Sequence, residues 1–118
     1  MTLSGKLQIK PGHTVVVLSP PDDVELGLEQ AAAASSSAEA VLVFVRTVAD
    51  LDTDEVAQVL DAARQDRLAW VAYPKGGRLG TDLNRDSLAA LLTARGVRPV
   101  RQIALDETWS ALRFRPAR

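Results

Sequence analysis

Residues 68–77 read LAWVAYPKGG, and the rest of the chain is organised around this stretch. The apolar run Leu68–Tyr73 has the length and the residue types of a buried strand. It leads directly into a basic, glycine-containing loop that begins at Pro74 and Lys75. We predict that the run is the middle strand of a sheet. Because open α/β sheets keep their ligand sites at the carboxyl ends of their strands, this loop is the first place to look for a site.

Two more continuous apolar runs precede that stretch, at Thr14–Leu18 and Val41–Val45, and such runs suit strands covered on both faces. Helical segments separate the strands. The first is expected to begin at Ser19–Asp23, the second at a capping box in Asp52–Glu55, and the third at the cap residue Asn84. The apolar positions expected to face the core are Val24, Leu28, Ala31 and Ala32 in the first helix, Val56, Val59, Leu60 and Ala63 in the second, and Leu88, Leu91 and Leu92 in the third.

The end of the chain predicts a hairpin. Gly96 is expected to end the third helix in the left-handed conformation. Val100–Leu105 then predicts a weaker strand, Asp106–Thr108 a tight turn, and Trp109–Arg115 a strand that runs antiparallel to the others. The last run alternates in polarity, which indicates one packed face and one face that is at least partly exposed.

These elements predict a single α/β domain, residues 1–118, with the order β-α-β-α-β-α-β-β. A chain of 118 residues has a common length for one domain and can bury one core. The expected fold is a three-layer, Rossmann-like sandwich with a mostly parallel sheet and an antiparallel strand from the C-terminal hairpin. The predicted order of the parallel strands is 2-1-3, with the hairpin beside strand 3.

The composition excludes several kinds of site. The absence of cysteine excludes a disulfide scaffold, a thiol nucleophile and a zinc site built on cysteine. With a single histidine, a metal cluster would have to consist almost wholly of carboxylates, so we expect no metal. The segment Met1–Lys6 lacks the apolar stretch of a signal peptide, and no run approaches the length of a membrane span. We therefore expect a cytoplasmic protein that does not contact a membrane.

Charge is unevenly distributed although the net charge is only −1. Residues 1–66 carry 4 basic and 11 acidic side chains, whereas residues 67–118 carry 10 basic and 4 acidic ones. Two solvated faces would account for this asymmetry, and the alternative is a basic surface that binds an anion or an acidic partner. No basic run is interleaved with aromatic residues, so nucleic acid is not an expected partner.

Three segments carry a resemblance to a known family: KLQIKPG at 6–12, WVAYPKG at 70–76 and WSALR at 109–113. Together they resemble a family of small bacterial α/β proteins of unknown function. The resemblance covers nearly the whole chain, and the pair Pro74–Lys75 is its most specific part. It implies the α/β architecture and adds no activity.

The predicted architecture also resembles the core of class I methyltransferases, but the first turn after a strand departs from their pattern. Adenosylmethionine and dinucleotide sites need glycines in this turn so that backbone amides can approach the ligand. Pro20 and Pro21 occupy it here and remove amide donors. We therefore expect no adenosylmethionine, nicotinamide or other nucleotide cofactor.

The loop after the third strand, residues 74–82, is the candidate site. Its glycines expose backbone N–H groups and its two basic side chains add charge, a combination that suits a phosphate or a carboxylate. Asp82 lies across the loop from Lys75 and is expected either to pair with it or to contact a polar ligand. The alternatives are a surface loop with solvated charges and a protein interface. The candidate ligand-binding residues are Lys75, Gly76, Gly77, Arg78 and Asp82.

Other reactive side chains lack the pattern of a catalytic site. His13 follows a Pro-Gly turn and is expected to be a hydrogen-bonded turn residue. Ser19 and Ser110 have no evident base beside them, which a nucleophilic serine needs. Asp106 and Glu107 are adjacent, so a strand would point them to opposite faces, and a turn is expected instead. We assign no catalytic residue.

The favoured function is a non-catalytic α/β module that binds a small anion or a protein partner. One alternative is an enzyme of unrecognised type with an electrostatic site in residues 74–82. Another is a structural domain that forms a homodimer, because a hairpin at the chain end often leaves a strand edge that can pair.

Overall fold

The computed structural model describes residues 3–10, 13–21 and 38–117, with the backbone alone for residues 3 and 4. The predicted first helix, with its apolar stripe from Val24 to Ala32, falls outside these residues. The described elements, in chain order, are α1 (Leu3–Lys6), β1 (Val15–Leu18), β2 (Ala40–Phe44), a first 3-10 helix (Val48–Asp52), α2 (Asp54–Arg64), β3 (Leu68–Pro74), a second 3-10 helix (Arg78–Gly80), α3 (Arg85–Thr93), β4 (Val97–Ala104) and β5 (Trp109–Pro116).

The five strands form one mixed sheet in the order β1-β2-β3-β5-β4. β1 and β2 are parallel, as are β2 and β3. β5 is antiparallel to both of its neighbours, β3 and β4. The predictions that the three apolar runs are parallel strands, that β3 lies in the middle of the sheet and that the last strand is antiparallel are confirmed.

The predicted three-layer, Rossmann-like sandwich is wrong. That fold would place β1 between β2 and β3, whereas β1 is an edge strand and β2 lies between the other two. Two of the four strand pairings are antiparallel, so the sheet is mixed and not mostly parallel. When right-handed connections add each new parallel strand on the same side of the previous one, their helices all lie on one face of the sheet. Helices on both faces arise only when the direction of strand addition reverses, as in the predicted order 2-1-3. Continuous apolar runs predict which segments are strands, but not this order.

The two long helices that the structure describes pack on the same face of the sheet. One core cluster contains apolar residues of α2 and α3 together with Val43, Val71 and Phe114 from the strands. The cluster on the opposite face contains Trp70, Trp109 and Leu42 but no residue of α2 or α3. α2 and α3 therefore form one layer.

The helix ends agree with most of the predicted signals. Thr53 caps α2 by accepting a hydrogen bond from the Val56 amide at 3.4 Å, and the predicted apolar stripe of this helix is buried. Asn84 caps α3 as predicted, since its side chain accepts from the Ser87 amide at 2.9 Å. Gly96 has a φ of 91°, as a left-handed residue beyond a helix end should. The prediction for Leu91 was wrong, because this side chain is 38% exposed.

The C-terminal hairpin has the predicted turn. Asp106 closes it with one carboxylate oxygen, Oδ1, which accepts hydrogen bonds from the amides of Thr108 at 2.8 Å and Trp109 at 2.7 Å. β5 is more buried than its alternating polarity suggested, because it lies inside the sheet. Both faces are covered near its start, and Arg113, Arg115 and Pro116 remain partly exposed towards its end.

The N-terminal segment is held against the sheet face opposite α2 and α3. The indole N–H of Trp70 donates a hydrogen bond to the carbonyl oxygen of Leu7 at 3.0 Å, and both side chains are buried. Arg113 donates to the side-chain oxygen of Gln8 at 2.6 Å. These two contacts place the segment beside β3 and β5.

Candidate functional site

The loop predicted as the site follows β3, as expected. Its second residue, Lys75, is tied to the hairpin, because the Lys75 amide donates to the Thr108 carbonyl at 2.8 Å. Gly76 and Gly77 have φ values of 56° and 75°, in the left-handed region that favours glycine. A Cβ atom built on either glycine would meet nothing within 4 Å. The space above both backbone units is therefore open.

The basic side chains of this loop are available for a ligand. Neither Lys75 nor Arg78 uses its side chain in a hydrogen bond or an ion pair with any residue in the described part of the chain. The amides of Gly76 and Gly77 likewise donate to no described group. The assignment of these four residues to an anion site stays a prediction, because nothing in the geometry tests it directly.

Asp82 makes a contact that the sequence did not predict, and its predicted contact with a ligand stays a prediction. Its Oδ1 accepts a hydrogen bond from the Val48 amide at 2.9 Å, and no ion pair with Lys75 is formed among the described residues. Its neighbour Thr81 donates its hydroxyl to the carbonyl oxygen of Arg46. The loop after β3 is thus fastened to the segment after β2.

A cavity of about 390 Å³ lies at the carboxyl ends of β1 and β2. These strands are parallel, so the residues that follow them meet at one edge of the sheet, and β5 starts at the same edge. The lining residues come from the segments that follow β1 and β2, from the last residues of β2, from the first residue of β5 and from the N-cap of α2. They are Ser19, Pro20, Pro21, Val43, Phe44, Arg46, Asp50, Thr53 and Trp109.

Arg46 supplies the positive charge of the cavity. Its side chain forms no hydrogen bond or ion pair with any residue that the structure describes. Asp50, which also lines the cavity, uses Oδ2 to accept from the amides of Arg46 at 2.8 Å and Thr47 at 3.2 Å. The carboxylate therefore organises the backbone of the 3-10 helix, while the guanidinium is left for another group.

The remaining walls combine apolar side chains with the polar groups of Ser19, Asp50 and Thr53. Phe44 and Trp109 meet edge to face, with ring centroids 5.0 Å apart and an interplanar angle of 79°. Pro20 and Pro21 lie on another side. The prolines that argued against a nucleotide cofactor thus form part of a cavity wall. Such a site has one cation beside a mixed wall in which the two aromatic rings are 5% and 1% exposed.

Two local features support a ligand at this place. Thr53 is the N-cap of the 11-residue helix α2, whose amino end carries partial positive charge. Ser19 has a φ of 54°, in a region that a residue other than glycine rarely adopts. Strained backbone of this kind is concentrated at functional sites.

Sequence reasoning missed Arg46 and the cavity around it. The chain carried a usable signal, because Ser19 directly follows β1 and Arg46 lies two residues beyond β2. Parallel strands bring their carboxyl ends to one edge, where open α/β sheets bind ligands. The loop of residues 74–82 drew attention because it is rich in glycine and charge, whereas Arg46 is a single charge at the end of an apolar run.

The residues considered for catalysis are separated in the structure. His13 accepts a hydrogen bond from the Lys10 amide at 3.1 Å, so the predicted turn role is confirmed, and its Nε2 lies 3.9 Å from Glu39. His13 and Ser19 flank opposite ends of β1. Ser110 is buried in β5. The described geometry forms no serine–histidine pair.

The described residues contain no membrane-spanning helix and no cluster of metal-binding side chains. No helix among them is long and apolar enough to span a membrane. No group of three or more histidine, cysteine, aspartate or glutamate residues in this part of the chain is placed to hold a metal ion.

No protein-family model matches the chain, and no curated protein matches it either. The resemblance to a bacterial family, carried by the segments at 6–12, 70–76 and 109–113, therefore stays a prediction.

Proposed function

We propose that this protein is a cytoplasmic, non-catalytic module that binds a small organic anion in the cavity at the carboxyl edge of β1 and β2. The observation that carries this proposal is the Arg46 side chain, which lines the cavity without a partner among the described residues. A volume of about 390 Å³ lies within the range of about 300–1,000 Å³ that is typical of small-molecule sites.

The lining chemistry favours one class of ligand. A guanidinium binds a carboxylate or a phosphate through two parallel hydrogen bonds. Phe44 and Trp109 suit an aromatic or branched apolar body next to that anionic group. Asp50 would repel a ligand with several negative charges. The preferred ligand therefore has one anionic group on an apolar body.

The loop of residues 74–82 contributes to the same edge of the sheet. Because Thr81 and Asp82 fasten it to the segment that carries Arg46, Lys75 and Arg78 raise the positive potential near the cavity entrance. In this proposal, Gly76 and Gly77 keep the loop open and Asp82 positions it. Arg46, which lines the cavity, is the primary anchor.

Thermal unfolding with three probe anions tests the proposal. Benzoate combines a carboxylate with a ring, whereas inorganic phosphate and citrate lack a ring. Benzoate should raise the melting temperature of the wild-type protein, because a ligand that binds only the folded state stabilises it. Arg46→Gln should weaken benzoate binding about tenfold to a hundredfold, as expected for the loss of a charge-assisted hydrogen bond.

Arg85→Gln is the matched control, because it removes the same charge from the exposed start of α3. It should leave benzoate binding unchanged. The proposal fails if benzoate does not stabilise the wild-type protein. It also fails if Arg46→Gln and Arg85→Gln weaken benzoate binding equally. A double change, Lys75→Ala with Arg78→Ala, should weaken binding less than Arg46→Gln. If the double change is the more damaging, the loop and not the cavity is the anion site.

The alternatives from the sequence can be separated from this proposal. A homodimer would use the edges of the described sheet, at β1 or β4. Native mass spectrometry of freshly purified protein reports the number of chains and any retained ligand in one experiment. A monomer that carries a small organic acid agrees with the proposal, whereas a ligand-free dimer favours the structural alternative. An enzyme that uses Lys75, Arg78 and Asp82 together would have to act through Oδ2 of Asp82, because Oδ1 accepts from the Val48 amide.

A further inference from the structure

Four arginines share one face of the C-terminal hairpin. The register between β4 and β5 places Arg98 opposite Arg115 and Arg101 opposite Arg113. Alternate residues of a strand lie on the same face, so these side chains share the face of Ala111, away from α2 and α3. We call these four residues the arginine face.

A β-bulge brings the fourth arginine to this face. The register shifts by one residue between Pro99 and Arg101. If Val100 were paired regularly instead of being bulged, Arg101 would lie three positions after Arg98 and therefore on the opposite side of the sheet, because a shift of one residue reverses the face. Bulges often re-aim a side chain beside a functional site. The bulge therefore places a fourth positive charge on the arginine face.

The described residues supply one carboxylate to the arginine face. Asp66 binds Arg115 with both oxygens, and each hydrogen bond is 2.8 Å long. Arg113 and Arg98 donate to neutral oxygens, those of the Gln8 side chain at 2.6 Å and the Pro116 backbone at 3.1 Å. Arg101 is exposed and pairs with no described residue. Three of the four positive charges are thus left without an acidic partner in the described part of the chain.

This arrangement is unfavourable for the folded protein alone. Like charges directly opposite each other on neighbouring strands are destabilising. Burial lowers the pKa of Arg113, and the charges of Arg115 and Arg101 lower it further, partly offset by Asp66. The Nε atom of Arg113 is also buried without a hydrogen-bond partner. An anion bound to the face would relieve the repulsion between its arginines.

We propose that the arginine face binds the oligophosphate group of a small molecule, such as a diphosphate or triphosphate. Each guanidinium can donate two parallel hydrogen bonds to a phosphate group. Cα atoms of opposite residues lie about 4.5–5.5 Å apart across the strands, and successive positions on one face lie about 6.6 Å apart along a strand. The face is therefore compact and suits a short, multiply charged group.

Two observations disfavour larger partners. Single-stranded nucleic acid binds through exposed aromatic rings on which its bases stack. All five aromatic residues of this protein are buried, so none can serve as such a platform. An acidic strand added to the edge of β4 would meet Pro99 and the bulge, both of which disturb edge pairing.

The arginine face is independent of the cavity proposed above. Asp66 lies just before β3 and Arg115 lies near the end of the antiparallel strand β5. Both are therefore at the amino edge of the parallel strands, whereas the cavity is at their carboxyl edge. The failure of one proposal leaves the other unaffected.

Calorimetric titration with inorganic tripolyphosphate tests the proposal. Wild-type protein should bind one equivalent, and added sodium chloride should weaken binding because it screens exposed charge. Arg101→Gln should weaken binding about tenfold or more. This residue is exposed and makes no described contact, so its variant should fold normally, which circular dichroism checks. Arg85→Gln, the same change on α3, should bind as the wild-type protein does.

Three results would overturn the proposal. The first is a wild-type dissociation constant weaker than about 1 mM, which corresponds to about −4.1 kcal/mol. The second is an equal loss of binding in Arg101→Gln and Arg85→Gln, which would indicate attraction by net charge alone. The third is tighter binding of a thymidine oligonucleotide than of tripolyphosphate at equal phosphate concentration, which would favour nucleic acid.

Discussion

Single side chains hold the N-terminal segment of this protein against its sheet. Trp70 is 1% exposed, and its indole N–H donates to the Leu7 carbonyl. A ring without this N–H could fill much of the same space, but the Leu7 carbonyl would then have no hydrogen-bond donor. A buried acceptor without a partner costs about 1–3 kcal/mol.

The first prediction concerns this contact. Trp70→Phe should lower the free energy of unfolding by about 1–3 kcal/mol from the lost hydrogen bond, with a further loss for the smaller ring. Urea unfolding measures the change. Hydrogen exchange should show that the amides of residues 7–10 exchange faster than in the wild-type protein. Unchanged exchange in that segment would mean that the contact does not hold it.

A second residue-scale prediction follows from Asp66. The hydrogen bond from Arg115, followed by the charges of Arg115, Arg113 and Arg98, lowers the pKa of this carboxyl despite an opposing effect of burial. A group whose pKa is lowered on folding stabilises the protein above its unfolded-state pKa, and this stabilisation is lost as the pH falls through the folded-state value.

The wild-type protein should therefore melt at a higher temperature than Asp66→Asn at pH 7, and the difference should shrink below about pH 4. Asparagine suits the left-handed φ of 59° at this position, so backbone strain should not obscure the comparison. Melting curves between pH 7 and pH 3 provide the measurement. A difference that stays constant over that range would contradict the assignment.

Helix ends are the elements whose local sequence best predicted the structure. Asn84 and Ser87 bond reciprocally, since each side chain accepts from the backbone amide of the other at 2.9–3.0 Å. Asn84→Ala should therefore destabilise the protein by about 1 kcal/mol, whereas Asn84→Asp should be nearly neutral. Urea unfolding of both variants checks this. An equal loss in the two would show that the side-chain acceptor is not what matters.

Strand identity and helix caps could be predicted because each depends on residues close in the sequence. The apolar runs around Val16, Leu42 and Val71, the cap at Asn84 and the turn at Asp106 all have local signals. Leu91 was wrongly predicted to be buried because its spacing in the helix suits a core position. Only the packing of α3 against the sheet decides that Leu88 and Leu92 are covered and that Leu91 is not. The bond between Asp82 and the Val48 amide joins segments 34 residues apart, so no local pattern indicates it.

For the whole molecule, strand order was the decisive error. All three parallel runs are apolar on both faces, so the sequence does not distinguish the order 2-1-3 from 1-2-3. The wrong order placed the loop of residues 74–82 beside β1, whereas β3 lies between β2 and β5. With the observed order, the edge of β1 and β2 holds the cavity and Arg46. The cavity thus lies at the same edge of the sheet as the predicted loop but beside other strands, and the anion site predicted in that loop stays a prediction.

The central claim is that a small organic anion binds beside Arg46 and Trp109. Proton–nitrogen NMR during a benzoate titration tests it most directly, because the chain has two tryptophans and one of them is an internal control. Trp109 lines the cavity, whereas Trp70 is buried against the N-terminal segment. We predict that the Trp109 indole signal shifts saturably while the Trp70 signal stays in place, and that Arg46→Gln needs about tenfold to a hundredfold more benzoate for the same shift. Saturable binding that leaves Trp109 unmoved, or an unchanged shift in Arg46→Gln, would contradict the account.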